Sequence, residues 1–273
     1  MRNSVLFICL SFLVLSVACE KNNKGEEPDF VETKLHTHRP VIEDINANCA
    51  GYYIGLPGSY EETKLKYPLI ISLHGWGALG GADGLGEVVT YSIGSLLQDD
   101  KFPKMVAAGG KNYSFIVVTP RFKEWPVSTD VKEVIDHITA KYRIDASRIY
   151  ICGASMGGAV AFNFGGDFPN IAAAIVPFAA ARKIDNTQAD NIARAGLPFW
   201  AFHNTKDQVA PVENTTTNIN VIKAHNANPE PKMTIWEESS FGGDHHDCWT
   251  RACNPEYKEN DMNIYEWMLQ YHR

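Results

Sequence analysis

Short, almost unbroken apolar runs recur along this chain from about residue 50 to its end. They are Tyr52 to Leu56, Leu69 to Leu73, Phe115 to Val118, Ile149 to Cys152, Ala172 to Val176, Phe199 to Phe202 and Met233 to Trp236. A strand with one wet face alternates apolar and polar residues. Continuous runs instead predict strands buried on both faces, the condition of a parallel sheet. Between the runs the pattern changes. Val131, Val134, Ile135 and Ile138 fall on one face at helical spacing, and Asp130 with Glu133 predicts a capping box ahead of them. Met156 to Phe164 and Ile264 to Leu269 are further helix candidates. Strands alternating with helices predict an α/β fold, a doubly wound and mostly parallel sheet with helices on both faces and ligands at the carboxyl ends of the strands. The roughly 22 residues between Val176 and Phe199 hold one helix and leave no room for a large lid.

The first residues follow a different rule. Arg2 precedes an apolar run, Val5 to Val17, of about 13 residues, the length of a secretory h-region and short for a bilayer span. Leu15-Ser16-Val17-Ala18-Cys19 then resembles the lipobox of bacterial lipoproteins, with Ser16 where Leu is more usual. Residues 1–18 are thus expected to be a lipoprotein signal, and Cys19 a lipid anchor on an exported protein, periplasmic or at the cell surface. Residues 19–40 are polar without an apolar period and read as a flexible tether, with His36 and His38 as solvated residues and not a metal site. Residues 41–273 form the expected single domain.

Composition narrows the classes. The chain has 273 residues, 45% of them hydrophobic, and a formal net charge of −7, which fits a folded domain with a sizeable core and argues against a nucleic-acid binder. In an oxidising compartment four cysteines remain to be placed: Cys49, Cys152, Cys248 and Cys253. Cys152 reads as a buried thiol. Cys248 and Cys253 are close enough to pair, and Cys49 could replace either. No CxxC is present, so no zinc site is expected.

The chemistry concentrates after three of the runs. Gly153-Ala154-Ser155-Met156-Gly157 follows the run Ile149 to Cys152 and precedes a helix candidate, the strand–turn–helix context in which G-x-S-x-G presents a nucleophile. Ser155 is that candidate. A serine needs a base, and the base needs an orienting carboxylate. Asp207 follows the run Phe199 to Phe202, and His246 follows Met233 to Trp236, giving the order Ser, Asp, His. His245 and Asp185 are the rivals for the last two roles, and His203 is expected to shape its loop. Oxyanion donors are expected from the backbone N–H of Met156 and of Trp76, the latter in His74-Gly75-Trp76-Gly77 after Leu69 to Leu73. Trp76 and Trp125 are candidate substrate walls.

Tyr67 to Gly75, Arg143 to Tyr150, Gly153 to Gly158 and His246 to Thr250 resemble the α/β-hydrolase superfamily. Within it they are similar to secreted esterases related to polyhydroxybutyrate depolymerases, feruloyl esterases and the "predicted peptidase" group. The resemblance implies a serine carboxylesterase without metal or organic cofactor, and carbohydrate esterase family one as the nearest functional neighbour. It implies a small-molecule or polysaccharide ester as substrate, and membrane contact through Cys19 alone. An amidase or peptidase, a polyester depolymerase, or a non-catalytic glycan-binding protein remain as alternatives.

Overall fold

The computed structural model describes residues 30–273. The signal segment, Cys19 and the first part of the expected tether lie outside the described residues.

Eight strands form one sheet: β1 (Thr37–Ile42), β2 (Cys49–Leu56), β3 (Tyr67–Leu73), β6 (Ile116–Phe122), β7 (Ile144–Ala154), β8 (Ala174–Phe178), β9 (Trp200–Asn204) and β10 (Lys232–Trp236). Their order across the sheet is β1-β2-β6-β3-β7-β8-β9-β10. From β6 to β10 all neighbours run parallel, while β1 and β2 are antiparallel additions at one edge. β4 (Val106–Ala108) and β5 (Lys111–Tyr113) make a separate hairpin. The helices are α1 (Ser92–Gln98), α2 (Ser128–Lys141), α3 (Met156–Asp167), α4 (Asn186–Arg194), α5 (Val212–Ala224), α6 (Trp249–Cys253) and α7 (Ile264–Met268).

The unbroken apolar runs have the predicted cause. Along β3, Leu69, Ile71 and Leu73 enter one core, while Ile70 enters the other. In β7, Ile149 and Ile151 face the first core, Tyr150 and Cys152 the second. Successive side chains point to opposite faces, so a sheet covered on both sides needs an apolar residue at every position. α2, α3, α4 and α5 contribute to the first core, and α1, α6 and α7 to the second. The β8–β9 connection carries α4 and no other helix.

Three expectations are corrected. The tether does not extend to residue 40: Glu32 and His36 are buried, and β1 begins at Thr37. Glu32 accepts from Ser59 N–H and Oγ–H, and the rings of His36 and His38 bond to Phe115 O and Tyr53 Oη, so these side chains are not simply solvated. The capping acid of α2 is not an N-cap: Asp130 lies inside the first turn and accepts from Val127 N–H at 3.0 Å. Cys248 and Cys253 are not paired. Both are free thiols, as are Cys49 and Cys152, and all four are buried.

Candidate active site

The turn between β7 and α3 is built for one residue. Ser155 has φ 57° and ψ −112°, a conformation L-residues rarely adopt, and caps a helix of 12 residues. Its neighbours leave no choice of side chain. A Cβ on Gly153 would overlap the Gly157 carbonyl, one on Gly157 the Leu73 carbonyl, and one on Gly158 the Phe178 carbonyl. All three obstacles are backbone and cannot swing aside. Ser155 N–H donates to Phe178 O at 2.9 Å, and Ser155 O accepts from Ala181 N–H at 3.2 Å, so the strained turn is held by β8 and its exit loop.

β9 and β10 deliver the other two residues. His246 Nδ1–H donates to Asp207 Oδ2 at 2.7 Å. Asp207 Oδ1 accepts from Val209 N–H and Ala210 N–H at 2.8 and 2.9 Å. Burial alone would raise the Asp207 carboxyl, but bonds from His203, His246 and Ala210 N–H outweigh it and hold the group well below the ordinary carboxylate range. His246 Nε2 is buried and has no hydrogen-bond partner among the described residues. His245 does not reach Asp207: its backbone sits at φ 59° and its Nδ1 has no partner. Asp185 is the N-cap of α4, accepting from Gln188 N–H at 2.8 Å.

A chain of contacts joins His246 to the serine turn. The His246 and Trp249 rings meet edge-on at 5.2 Å, and Trp249 lies 6.3 Å from Tyr91. Tyr91 Oη–H donates to Gly75 O at 3.4 Å. A Cβ on Gly75 would stand 3.6 Å from Ser155 Cβ and 3.9 Å from Tyr91 Oη. Tyr91 and Trp249 therefore wall the space between the serine, the Gly75 loop and the imidazole. Tyr91 belongs to no motif, and Trp249 falls within the His246 to Thr250 stretch without a role that the sequence assigns.

The Gly75–Trp76 peptide is oriented by its carbonyl. Gly75 O accepts from His74 Nδ1–H at 2.7 Å and from Ala78 N–H at 3.2 Å. Carbonyl and following N–H point in opposite directions across a trans peptide, so Trp76 N–H is turned away from those donors. Among the described residues neither Trp76 N–H nor Met156 N–H meets an acceptor. His74 Nε2 accepts from Phe122 N–H at 3.1 Å, and burial pushes its pKa down to about 4, so the ring stays neutral near pH 7. Arg121 braces the same loop from beneath: its Nη2 donates to Leu79 O and to Glu87, and a Cβ on Gly80 or Gly84 would collide with the guanidinium.

Asn204 ties the β9 and β10 loops together. Its side chain is fully buried, and its amide donates to His245 O at 2.8 Å and to Asp247 O at 3.2 Å, the two carbonyls flanking His246. Gln208 N–H donates to Asp244 O at 2.9 Å as a second tie. Of the expected walls, Trp76 is 70% exposed, whereas Trp125 is half-buried beneath Arg182, with 3.8 Å from the guanidinium carbon to the ring centre. Trp125 lines a shallow depression with Asn48, Lys123 and Asp130, and nothing joins it to Ser155.

The chain matches the family described as serine aminopeptidase, S33, over residues 119–232. It is 26% identical over 143 residues to a bifunctional acetylxylan esterase/xylanase of Neocallimastix patriciarum, a stretch that is 52% of this chain and 19% of that protein. It superposes on a thermostable esterase with TM-score 0.62 at 21% identity, covering 87% of this chain and 63% of the other. A feruloyl esterase module from Clostridium thermocellum, crystallised with sinapinate, aligns with TM-score 0.53 at 16% identity over 74% of this chain and 81% of that one. The acylaminoacyl peptidase of Pyrococcus horikoshii aligns with TM-score 0.53 at 14% identity over 86% and 44%. At such identities the solved structures establish a shared fold.

Proposed function

We propose that this chain, which has the α/β-hydrolase fold, is a serine carboxylesterase that removes acyl substituents, feruloyl or acetyl, from polysaccharides through an acyl-enzyme. The observation that carries the reading is the His246–Asp207 bond of 2.7 Å, with His246 Nε2 left without a partner among the described residues. Asp207 fixes the imidazole with its proton on Nδ1, so the lone pair on Nε2 is available for a serine proton. Ser155 Oγ attacks the ester carbonyl as that proton passes to His246. The negative charge that forms on the carbonyl oxygen is received by Trp76 N–H and Met156 N–H, the latter opening α3, where the helix dipole adds to the effect. His246 then gives its proton to the departing alcohol. Water, deprotonated by the same imidazole, releases the acid. Tyr91 and Trp249 bound the acyl or alcohol group on one side, and Trp76 offers an exposed ring above.

The likeness to an acetylxylan esterase and to a feruloyl esterase module supports the choice of substrate. The signal-like leader and Cys19 support an exported, lipid-anchored protein. A fluorophosphonate adduct found by peptide mass on Ser155, and loss of p-nitrophenyl acetate hydrolysis in Ser155→Ala, are the expected results. An unmodified Ser155 would defeat the assignment. Methyl ferulate and acetylated xylan test the substrate. Peptidase neighbours and the aminopeptidase family description favour a second reading, amide hydrolysis by the same residues. Faster turnover of an anilide than of its matched ester would select it.

A further inference from the structure

We propose that His203, outside the three residues assigned above, is a positioning residue for Asp207 and sets how strongly that carboxylate holds His246. The proposal rests on the serine-hydrolase reading just given.

His203 is fully buried on β9. Its Nε2 lies 3.0 Å from Asp207 Oδ2 and 3.0 Å from Ala210 O. Neither the carboxylate nor the carbonyl has a hydrogen to give, so Nε2 carries one and shares it between them. At the other nitrogen, Nδ1 is 2.7 Å from Thr215 Oγ1 on α5. That hydroxyl oxygen accepts from Ala180 N–H at 3.3 Å, which leaves its own hydrogen free for Nδ1. Both ring nitrogens are thereby engaged and the tautomer is defined.

The consequence falls on Asp207. Oδ2 receives two imidazole N–H groups and Oδ1 receives two amide N–H groups, which fills the roughly four acceptor sites of a carboxylate. Taking away the His203 donor concentrates more negative charge at Oδ2, opposite His246 Nδ1–H. An imidazolium at His246 is then better stabilised, and the base stays protonated to higher pH. The carboxylate also loses the contact that stops it turning away from His246. The other charged groups on the two loops, Lys206 with its partners Glu237 and Glu238, and Asp244, His245 and Asp247, are unchanged by the substitutions below.

His203→Leu keeps bulk and removes both ring nitrogens. His203→Gln returns an amide N–H near the place of Nε2. The readouts are kcat and KM for p-nitrophenyl acetate from pH 5 to 9, with a thermal melt for each protein. His203→Leu is expected to lose about 10- to 100-fold in kcat with KM within about twofold, the range for a lost hydrogen bond to a charged group. Its acid limb should move to higher pH. His203→Gln should recover most of the rate and the wild-type limb. Thr215→Val removes only the hydroxyl at Nδ1 and should give a smaller change of the same kind, which serves if His203→Leu does not fold. A folded His203→Leu with wild-type kcat and an unmoved limb overturns the proposal. So does an equal loss in the Leu and Gln variants, or a Thr215→Val protein indistinguishable from wild type. An inactive wild type, or turnover surviving in Ser155→Ala, brings down the enzymatic reading and this proposal with it. Normal turnover with an indifferent His203 brings down this proposal alone.

Discussion

Ser155 should cost the fold stability, and two inactive variants can isolate that cost. The residue sits at φ 57°, ψ −112°, which only glycine adopts freely. Holding another residue in such a region costs about 1–3 kcal/mol. Ser155→Ala keeps the Cβ and the strain. Ser155→Gly removes both, at a loss of about 0.5–1 kcal/mol for the greater freedom of glycine in the unfolded chain. Neither variant has Oγ, so the hydroxyl cancels in the comparison, and the half-buried Cβ contributes little packing. The difference favours glycine by about 0–2.5 kcal/mol. At about 2–4 °C per kcal/mol for a domain of this size, Ser155→Gly should melt above Ser155→Ala, by up to about 10 °C. Scanning calorimetry of both proteins at pH 7 measures it, with hydrolysis absent in each. A glycine variant that melts below the alanine variant would refute the strain argument.

Asn204→Asp replaces two donors with oxygen opposite the His245 and Asp247 carbonyls and should lower kcat about 10- to 100-fold with a fall in Tm, since each lost buried bond costs about 1–3 kcal/mol. A folded Asn204→Asp with wild-type kcat would show that the tie is not needed to hold His246. His74 is pushed down to about 4 from an ordinary 6.5, so the unfolded chain takes up its proton first. Its contribution to stability is complete above about pH 6.5 and is lost toward pH 4, by at most about 3 kcal/mol. Urea unfolding should show the wild-type advantage over His74→Gln shrinking through that window, and a pH-independent difference would contradict it.

The central strands were legible because burial on both faces leaves no polar position to break an apolar run. β1 was hidden, since Thr37 to Pro40 is polar at an exposed edge and reads as tether. The Asn- and Thr-rich sequence of α5 conceals a helix whose buried face includes Thr215 and Asn218, polar residues that bond to neighbouring loops. Ser155, Asp207 and His246 could be named because each follows a strand within a short motif. Tyr91, Asn204 and Arg121 could not, because their partners are brought up by folding from distant parts of the chain. Cys248 and Cys253 were misleading for the same reason: their sequence spacing invited a disulfide, but Cys248 is directed to Phe202 O and Cys253 to Ser92.

The Asn204 and Gln208 ties grip the β10 loop only from Asp244 onward. Upstream, Phe241 is largely exposed, and Gly242 and Gly243 have open space where a side chain would stand. Both glycines hold a positive φ, 68° and 70°, and Gly242 O accepts from His245 N–H at 3.4 Å, so the freedom to change lies just before them, at Ser240 and Phe241. A lineage, or an engineer, could therefore alter the mouth of the proposed site by insertion at residues 240–241 while Asp207 and His246 stay in register.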